Sequence, residues 1–318
     1  MTRTPRPRVD VGVVTWNTAD LTASGLRRLL DSDQGCELRL LVRDNGSTDG
    51  TPHTIAERVP EAELEAGREN LGFAAGVNTL LARSDAPWFF LLNSDAWPEP
   101  GAVGKLVETA QARPRAAAIA PRIEDEDGRL EHSTYPFPSL RIAAATSFGW
   151  KRLPREKADE MMLEGAWNHD RARPVDWAIG AALLLRREAV DEIGGFDERF
   201  FMYVEDLEWC WRARKRGWEI YFEPAALVRH IGNASGIHMF GSRRTREHVR
   251  NAYTFYRREH GLAGTIAWWG LNLAGTSMRL AEALAARDRG RARRWTEHVT
   301  AHLAAVRPAR ALRGGRER

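Results

Sequence analysis

The sequence is poor in cysteine. Cys36 and Cys210 are the two cysteines in 318 residues, and neither belongs to a CxxC pair. This argues against a disulfide framework and against a cysteine-based zinc site, and it fits a reducing cytosol. The first ten residues, MTRTPRPRVD, also lack the apolar core of a signal peptide. We therefore expect a cytoplasmic location.

Three glycine-containing motifs of common enzyme classes are missing as well. No GxGxxG follows the first apolar run, VDVGVVTW, which continues instead into NTAD. This argues against a nicotinamide or flavin dehydrogenase, whose first turn needs glycines so that the backbone can approach a pyrophosphate. GxxxxGK[ST] and GxSxG are absent too, which disfavours a P-loop kinase and an α/β-hydrolase.

The excess of positive charge is small over the whole chain and concentrated near its end. A formal net charge of +4 does not indicate a nucleic-acid partner. From Arg287 onward the chain is rich in arginine, and an uncharged run with Trp268 and Trp269 precedes it. That run is too short for a comfortable bilayer span. Two interpretations stay open: a helix packed on the protein, or an interfacial helix in weak peripheral contact with anionic lipid at the inner face of the membrane.

What the sequence does contain is an alternation of short apolar runs with helical segments. VDVGVVTW, ELRLLVRDN and APWFFLLNSD have the content of buried strands, and FAAGVNTLLARS has helical spacing. Such alternation indicates βαβ units and an α/β fold with a mainly parallel central sheet. After about residue 236 the pattern is helical. We expect a catalytic domain over residues 8–236 and a helical extension with a basic tail over residues 237–318.

Short polar side chains follow several of these runs: Asn17, Asp44, Asn70 and the group Asn93-Ser94-Asp95. Turn chemistry alone explains many such residues, but ligands of α/β sheets bind at the carboxyl ends of strands. Asp44 can accept hydrogen bonds from a ribose or a base. Because no glycine-rich turn is present to neutralise a phosphate, we expect Mg²⁺ or Mn²⁺. Asp95 is the best-placed ligand; His230, at the end of the run AALVRH, becomes one only if it converges with Asp95.

The stretch FFMYVEDLEW places two acids, Glu205 and Asp206, inside an apolar segment. A buried carboxylate is costly unless it is paired or neutralised. An apolar wall raises the pKa of a general base towards working pH, and a neighbouring acid raises it further. The alternative is that both acids cap the helix starting near Leu207, where the helix dipole favours negative charge. The two roles are compatible.

Six motifs occur in an order that resembles a known family: VVTWN, DNGSTDG, NLGFAAGVN, LLNSD, the long stretch from VDWAIGAALLL to WRARKRGW, and RHIGNAS. Together they are similar to the family 2 inverting glycosyltransferases, which have the GT-A fold, and most similar to the bacterial rhamnosyltransferase-like branch. The resemblance covers about residues 8 to 260. It implies transfer of a sugar from a nucleotide diphosphate donor to an acceptor hydroxyl, by a single displacement with inversion.

The resemblance also implies roles for individual residues. Asp206 would be the base that takes the proton from the acceptor hydroxyl, with Glu205 beside it. Asp95 would bind the metal on the diphosphate, and His230 would complete the metal site. The chain departs from the family's DxD motif, because Asn93 replaces the first carboxylate and removes one formal charge. The donor nucleotide would be held by Thr15, Trp16, Asn17, Asp44, Asn70, Gly72, Phe73 and Asn93.

Candidates for the sugar and acceptor side are Trp177, Gly180 and Ala181, since an aromatic face can stack on a sugar and small residues allow close approach. Arg212 or Arg214 could face the leaving diphosphate, although solvation at the surface is the commoner fate of such residues.

The resemblance favours dTDP-L-rhamnose as the donor. It leaves a glycan, a lipid-linked molecule or a small molecule open as the acceptor, and it leaves a homodimer open. Two alternative functions are a nucleotidyltransferase and a catalytically silent sugar-nucleotide-binding module. The turn WNTAD argues against the first, and the intact Glu205-Asp206 pair argues against the second.

Overall fold

The computed structural model describes residues 5–149, 153–232 and 244–305. By its internal packing the chain divides into two units. Residues 1–137 and 154–241 form the first, which we call the sheet unit; residues 138–153 and 242–318 form the second, which we call the helical unit. The predicted boundary at residues 236–237 lies outside the described residues. Residues 138–153 belong with the C-terminal helices, which the sequence did not indicate.

Twelve strands are found in the described residues: β1 (Arg8–Thr15), β2 (Glu37–Asp44), β3 (Glu63–Ala66), β4 (Trp88–Asn93), β5 (Ala96–Pro98), β6 (Ala116–Glu124), β7 (Leu130–Glu131), β8 (Thr134–Tyr135), β9 (Arg173–Val175), β10 (Trp177–Ala178), β11 (Ala182–Arg186) and β12 (Glu219–His230). The same ranges hold ten helices: α1 (Ala19–Asp31), α2 (Thr51–Arg58), α3 (Phe73–Arg83), α4 (Ala102–Ala112), α5 (Leu140–Phe148), α6 (Arg155–Glu160), α7 (Arg187–Ile193), α8 (Glu205–Lys215), α9 (Arg244–Ala285) and α10 (Arg289–Ala305).

The large sheet of the described residues has the strand order β3-β2-β1-β4-β11-β6-β12-β5, with β7 paired to β6 and β9 to β12. Strands β1 to β4 are parallel to one another, β11 runs against β4 and β6, and β12 is parallel to β6. The six strands β1–β4, β6 and β12 therefore share one direction. The expected α/β fold with a mainly parallel central sheet is confirmed.

Two apolar layers cover the sheet, one on each face. Helices α1, α2 and α4 contribute Leu26, Ile55 and Leu106 to the first layer. Helices α3 and α8 contribute Leu80 and Trp209 to the second. Because both faces are covered, the central strands are apolar throughout rather than alternating, and β1 is buried from Val9 to Thr15.

Strand β12 differs from the sequence expectation of two separate strand-like runs. It is one strand with a shift in its register against β6 between Glu223 and Leu227. Pro224 lies at this irregularity, where a residue without an N–H costs the ladder no hydrogen bond. The strand can therefore continue to His230, which pairs with Ala96 of β5. The bulge thus allows a residue of the last strand to reach the end of β4.

Both cysteines belong to the sheet unit, and both are buried and unpaired as thiols. Burial raises the pKa of the Cys36 thiol to about 11. Burial also raises the pKa of Cys210, which lies on α8. Neither thiol is a reactive nucleophile in the folded protein, in line with the absence of a cysteine motif.

The helical unit consists of α5, α9 and α10. Helix α9 is broken at Gly261, whose φ of 70° lies in the left-handed region. Helix α10 follows after a short turn and packs on α9, and α5 packs on α9 as well. Across residues 5–149, 153–232 and 244–305, no helix combines the length and the apolar character that a bilayer crossing needs.

The two tryptophans of α9 are held inside the helical unit. Trp268 stacks on Tyr256 with 4.4 Å between ring centroids. The indole N–H of Trp269 donates a hydrogen bond to the His302 carbonyl at 3.0 Å. Both rings pack against Val249, Tyr253 and Ala301. Of the two interpretations that the sequence left open, these contacts favour the packed helix for the tryptophans, because their rings and one of their N–H groups are used for packing between helices.

Candidate active site

Three of the predicted residues end three adjacent parallel strands. Thr15, Asp44 and Asn93 are the last residues of β1, β2 and β4. Thr15 lies beside Asp44 in the β1–β2 register, and Val14 lies beside Asn93 in the β1–β4 register. The sheet topology therefore brings these residues to one edge, as expected for a ligand site of an α/β protein.

Asp44 is buried, and only one of its two carboxylate oxygens is satisfied. Oδ2 accepts hydrogen bonds from the backbone N–H groups of Gly46 and Ser47 at 3.1 and 3.0 Å. Oδ1 is buried and has no hydrogen-bond partner among the described residues. A buried carboxylate oxygen of this kind is costly to leave unpaired, so Asp44 is suited to accept a hydrogen bond from a ligand.

The turn after β1 is shaped by its own side chains. The Thr15 hydroxyl lies 2.9 Å from the Thr18 hydroxyl and 2.8 Å from that of Thr22, in a buried cluster. Asn17 has a left-handed φ of 52°, and its Oδ1 accepts a hydrogen bond from the Thr48 N–H at 2.8 Å. Thr15 and Asn17 thus stabilise the turn, whereas the half-buried Trp16 makes no such bond among the described residues.

The loop before α3 is built to approach another backbone segment closely. Asn70 Oδ1 accepts a hydrogen bond from the Gly72 N–H at 2.9 Å, and the Phe73 N–H donates to the Phe201 carbonyl at 2.7 Å. Gly72 has a φ of 87°, and a Cβ there would lie 2.5 Å from the Phe201 oxygen. Only glycine fits, and the loop therefore lies directly against the segment that leads to Glu205.

Asp95 and His230 converge, as the sequence required for a ligand role. Both are buried, and Asp95 Oδ1 lies 3.1 Å from His230 Nε2. His230 Nδ1 lies 2.7 Å from Glu131 Oε2, and Asn93 Nδ2 lies 3.4 Å from His230 Nε2. Burial by itself lowers the pKa of His230, but the hydrogen bonds to Asp95 and Glu131 raise it to about 9.

This donor set fits a divalent cation that also binds a ligand's phosphates. Within the described ranges, no cluster of three or more His, Cys, Asp or Glu side chains has the arrangement of a complete metal site. Mg²⁺ is usually held by one or two carboxylates plus substrate phosphates, and Asp95 offers one such carboxylate. His230 would join it as a ligand only by giving up the proton that its hydrogen bond to Asp95 favours. Glu131 holds the other ring nitrogen of His230, as outer carboxylates do for metal-binding histidines.

The two acids of FFMYVEDLEW begin helix α8 and have different surroundings. Asp206 Oδ2 accepts from the Gly180 N–H at 3.0 Å, and its Oδ1 accepts from the Leu207 N–H at 2.8 Å. Glu205 is buried, and its Oε2 has no hydrogen-bond partner in the part of the chain that the structure describes.

These surroundings separate the two acids electrostatically. Burial raises the pKa of Glu205 well above its usual range, and the adjacent Asp206 charge raises it further. Burial also raises the pKa of Asp206, but the N–H groups of Gly180 and Leu207 oppose that shift. We infer that the pair shares one proton, which Glu205 holds, because Asp206 has the donors that stabilise a carboxylate.

The backbone just before these acids is strained. Tyr203 and Val204 have φ values of 70° and 81°, so two consecutive non-glycine residues are left-handed. This conformation is rare for a β-branched residue, and such residues cost of order 1–3 kcal/mol each. Strain of this kind persists only where the surrounding structure fixes it, and it clusters at functional sites. Here it turns the chain so that α8 begins at Glu205.

Gly180 and Ala181 connect the two halves of the site. The Gly180 N–H binds Asp206, and the Ala181 carbonyl accepts the Asn93 N–H at 2.9 Å. A Cβ on Gly180 would lie 3.3 Å from the Phe73 ring. One short segment therefore touches the acid pair, the end of β4 and the loop before α3.

Trp177 and the two arginines of α8 are more constrained than the sequence indicated. Trp177 stacks on Tyr135, with 4.8 Å between centroids, and its N–H donates to the Pro136 carbonyl at 3.0 Å. One ring face is thus covered. Arg212 binds the Glu208 carboxylate and the carbonyls of Ile193 and Gly195. It is a structural residue and not a candidate for the diphosphate.

Arg214 is half exposed and lies 3.7 Å from Asp176. Sequence reasoning missed two residues that the structure places in the site. Glu131 contacts His230, and Phe201 packs on Gly72. Asn45, which with Asp44 is one of the polar residues at the strand ends, donates to the Gly72 carbonyl at 3.0 Å. Glu131 lies in a two-residue strand without any periodic signal.

Comparison with known proteins agrees with this geometry. The family described as "Glycosyl transferase family 2" matches residues 10–194. The N-acetylglucosaminyl-diphospho-decaprenol L-rhamnosyltransferase of Mycobacterium tuberculosis is 34% identical over 246 residues, which cover 72% of this chain and 76% of that protein. The pre-mycofactocin glycosyltransferase of the same organism is 30% identical over 212 residues, which cover 65% of this chain and 40% of that protein.

Solved structures share the fold at lower identity. A mannosyltransferase from Pyrobaculum calidifontis, in complex with GDP-Man and Mn²⁺, has a TM-score of 0.59 at 22% identity, covering 95% of this chain and 86% of that one. GalNAc-T7 with UDP, GalNAc and Mn²⁺ has a TM-score of 0.55 at 15% identity, covering 82% and 52%. These likenesses confirm the expected GT-A fold.

Proposed function

The chain belongs to glycosyl transferase family 2, and on that basis we propose that it moves a sugar from a nucleotide diphosphate donor to an acceptor hydroxyl with inversion. The observation that carries the proposal is the acid pair at the start of α8. Asp206 is partly exposed and fixed by two backbone N–H groups, while the adjacent Glu205 is buried and its Oε2 has no hydrogen-bond partner among the described residues.

Asp206 acts as the general base. It is held ionised by the N–H groups of Gly180 and Leu207, while burial keeps its pKa above that of an ordinary aspartate. A base with a raised pKa accepts a proton more readily as the acceptor oxygen attacks. Glu205 keeps its own proton, so the pair carries a single negative charge, which lies on Asp206.

The reaction is a single displacement. The acceptor oxygen forms a bond to the anomeric carbon on the face opposite the leaving group. The bond from that carbon to the diphosphate oxygen breaks, and its electron pair leaves with the diphosphate. The hydroxyl proton passes to Asp206. Attack from the opposite face makes the product anomer the inverse of the donor's.

The donor lies at the carboxyl ends of β1, β2 and β4. Asp44 Oδ1, which has no partner among the described residues, accepts a hydrogen bond from the ribose or the base. Asn70, Gly72 and Phe73 form the adjoining wall beside Trp16 and Asn17. Asp95 and His230 hold Mg²⁺ or Mn²⁺, with the amide of Asn93 next to them. When bound, the ion offsets the negative charge that develops on the diphosphate.

The donor sugar is proposed to be L-rhamnose, carried by dTDP, and the acceptor a sugar linked to a lipid through diphosphate. The support is the mycobacterial relative, whose name states an L-rhamnosyltransferase acting on N-acetylglucosaminyl-diphospho-decaprenol. Trp177, Gly180 and Ala181 lie on the sugar and acceptor side of Asp206 and leave room for it. The two buried, reduced cysteines support a cytoplasmic location.

The experiment is a transfer assay with purified protein, Mn²⁺, dTDP-L-rhamnose and a short-chain N-acetylglucosaminyl diphosphate lipid. We expect a rhamnosylated lipid whose new anomeric configuration, read by NMR, is inverted relative to the donor. GDP-mannose and UDP-galactose serve as matched donors. Turnover of one of them in preference would overturn the donor assignment, and a retained configuration would overturn the displacement mechanism. No product with any donor or acceptor would leave a binding module as the better description.

A further inference from the structure

The helical unit contains a cavity that the proposed reaction does not use. It has a volume of about 680 Å³ and lies between the end of α5, the C-terminal part of α9 and the first half of α10. Its apolar wall includes Phe148, Met278 and Trp295, and its charged wall includes Arg279, Arg291 and Arg294. All of these residues belong to the helical unit.

Close helix packing shapes this cavity. A Cβ on Gly275 of α9 would lie 2.4 Å from the Ser147 side chain, so α5 and α9 touch at this glycine. Arg279 donates a hydrogen bond to the Thr146 carbonyl, and its guanidinium lies 5.0 Å from the centre of the Trp295 ring. Arg279 is therefore fixed at the wall of the cavity by two contacts, neither of which neutralises its charge.

The positive charge of the cavity is not compensated by ion pairs. None of Arg279, Arg291 and Arg294 lies within 4.0 Å of a carboxylate in the described ranges, although Glu282 also lines the cavity. Burial lowers the pKa of His298, so this last titratable group adds no positive charge at neutral pH. Three arginines against one glutamate make a cavity suited to a phosphate group.

The outward surface of α9 after its break is uncharged. No charged residue occurs between Gly261 and Met278. Leu262, Ile266 and Leu284 are exposed and lie on one side of the helix at about 100° per residue. The exposed Ala274 and Ala281 lie beside them, and the exposed Met278 lies at the edge of this side. We call this surface the outer face. The exposed side of a surface helix is ordinarily polar, so an apolar stripe of this length marks a site of interaction.

The outer face borders the cavity, because Met278 is exposed at its edge and also lines the cavity. The occupant must therefore offer apolar chains beside a negative charge. A second copy of this chain offers apolar side chains but the same arginines, whereas an anionic phospholipid offers acyl chains and a phosphate. Two exposed arginines outside the cavity, Arg287 and Arg289, have no carboxylate partner among the described residues and add attraction to a negative surface.

We propose that the helical unit docks on an anionic phospholipid bilayer, with the outer face of α9 in the acyl boundary and a lipid phosphate held by the arginines of the cavity. The protein lies on the membrane and does not span it. The membrane contact is made by the leucine and isoleucine side of α9 and not by Trp268 and Trp269. Because the transfer site is on the same chain, docking would raise the local concentration of any lipid-linked acceptor.

The test is co-sedimentation of the full chain with phosphatidylcholine vesicles, with and without phosphatidylglycerol, at low salt. We expect binding only to the vesicles with phosphatidylglycerol. A single arginine near an anionic surface accounts for about a fivefold change in partitioning. The double variant Arg291→Gln and Arg294→Gln is expected to lose at least the roughly 25-fold that two such charges account for.

The matched control removes two equally unpaired charges outside the cavity, just before and at the start of α10, with Arg287→Gln and Arg289→Gln. It should lose clearly less binding than the cavity variant. Equal losses would mean diffuse attraction and would overturn the cavity as a phosphate site. Ile266→Glu should abolish binding, whereas Thr254→Glu, which places the same charge on α9 before its break, should not. Thermal melts by circular dichroism verify that each variant folds.

Two further outcomes would overturn the proposal. Wild-type protein that stays unbound at low salt rules out docking. A dimer in lipid-free buffer that Ile266→Glu dissociates, together with no vesicle binding, would assign the outer face to a second copy. The assay contains no sugar donor, so its failure is independent of the proposed transfer reaction.

Discussion

Ion-paired arginines of the sheet unit and the arginines that line the cavity of the helical unit are used in different ways. In the sheet unit, Arg39 binds Glu63 at 2.7 Å, and Arg229 binds both Glu99 and Glu124 at 2.9 Å. In the helical unit, Arg291 and Arg294 have no carboxylate partner among the described residues. The first set is internally compensated, whereas the second leaves positive charge available to something outside the chain.

The solvent-facing sides of the helices also differ between the two units, since one is charged and internally paired and the other is apolar. The helices that cover the sheet present charged residues to water, such as Arg27 and Asp31 of α1, which pair with each other at 3.0 Å. The outer face of α9 presents leucine, isoleucine and alanine instead. A fold that needs only water around it favours the first arrangement. The apolar outer face indicates that the two units have separate roles. The proposed transfer reaction belongs to the sheet unit, and the proposed docking on an anionic bilayer belongs to the helical unit.

The substitution Asp206→Asn is expected to have the largest effect on the transfer rate, and it tests whether the sheet unit and the helical unit have separate functions. The asparagine keeps the size of the side chain but cannot accept the proton, so transfer should fall by roughly 10²–10⁴-fold. Vesicle binding should not change, because it depends on the helical unit. Initial rates with saturating donor, beside co-sedimentation, check both statements. Near-wild-type transfer by Asp206→Asn with an inactive Glu205→Gln would show that Glu205 is the base.

Removal of the divalent ion is expected to have the next largest effect. EDTA should abolish transfer, Mn²⁺ or Mg²⁺ should restore it, and Asp95→Ala should lower the rate by at least about tenfold. Glu131→Gln, which alters only the outer contact of His230, should cost less. The measurement is the rate as a function of free Mn²⁺. Full activity in EDTA would mean that the reaction needs no divalent ion, which would explain why Asn93 replaces the first carboxylate of the DxD motif.

A third prediction concerns the proton that the acid pair retains. Burial raises the pKa of Glu205 above the ordinary value of 4.5, so the unfolded chain loses its proton first as the pH rises. Stability then falls with pH, by up to about 1.4 kcal/mol per pH unit for one group, until Glu205 ionises in the folded protein. Glu205→Gln removes this cost, so its melting temperature should gain on the wild type as the pH increases above 4.5.

The matched control for that experiment is Glu126→Gln, where the glutamate is exposed and has no ion pair among the described residues. The gain of Glu205→Gln with pH is read against the melting curves of this variant. If the melting temperatures of Glu205→Gln and the wild type change in parallel with pH, Glu205 has its ordinary pKa in the folded protein. The assignment of the shared proton to Glu205 would then be withdrawn.

The smallest effect is expected from Trp269→Phe in the helical unit. The change deletes the hydrogen bond to the His302 carbonyl, which costs about 1 kcal/mol of the free energy of unfolding. Transfer and vesicle binding should both stay unchanged, since this ring packs between helices. Urea denaturation measures the stability change. If Trp269→Phe loses vesicle binding while its stability is unchanged, Trp269 contacts lipid, and the outer face of α9 is not the whole membrane contact.

Sequence reasoning could predict the site residues whose positions depend on local patterns, but not those that depend on contacts between residues far apart in the sequence. The positions of Asp44 and Asn93 could be predicted, because apolar runs define strands and parallel strands end at one edge. The convergence of Asp95 with His230 could only be conditional, since it depends on the bulge at Pro224 and on pairing between β12 and β5. No local pattern reports such a long-range pairing.

The rest of the candidate site depended on packing. The left-handed backbone at Tyr203 and Val204 contradicts the ordinary preference of valine, so propensity could not have found it. The structural role of Arg212 follows from carbonyls of a distant turn. The sequence showed Trp268 and Trp269 in an apolar run, but only the helix that packs against them decides which way they face.

The placement of the two cysteines offers a way to watch one unit at a time. Cys36 and Cys210 are both buried in the sheet unit, and burial raises both thiol pKa values, so alkylating reagents reach neither while that unit is folded. Pulse labelling with a maleimide would therefore report the opening of the sheet unit alone. In a urea titration, comparison of the labelling midpoint with the midpoint of the helical circular dichroism signal would show whether the two units unfold as one cooperative system or in sequence.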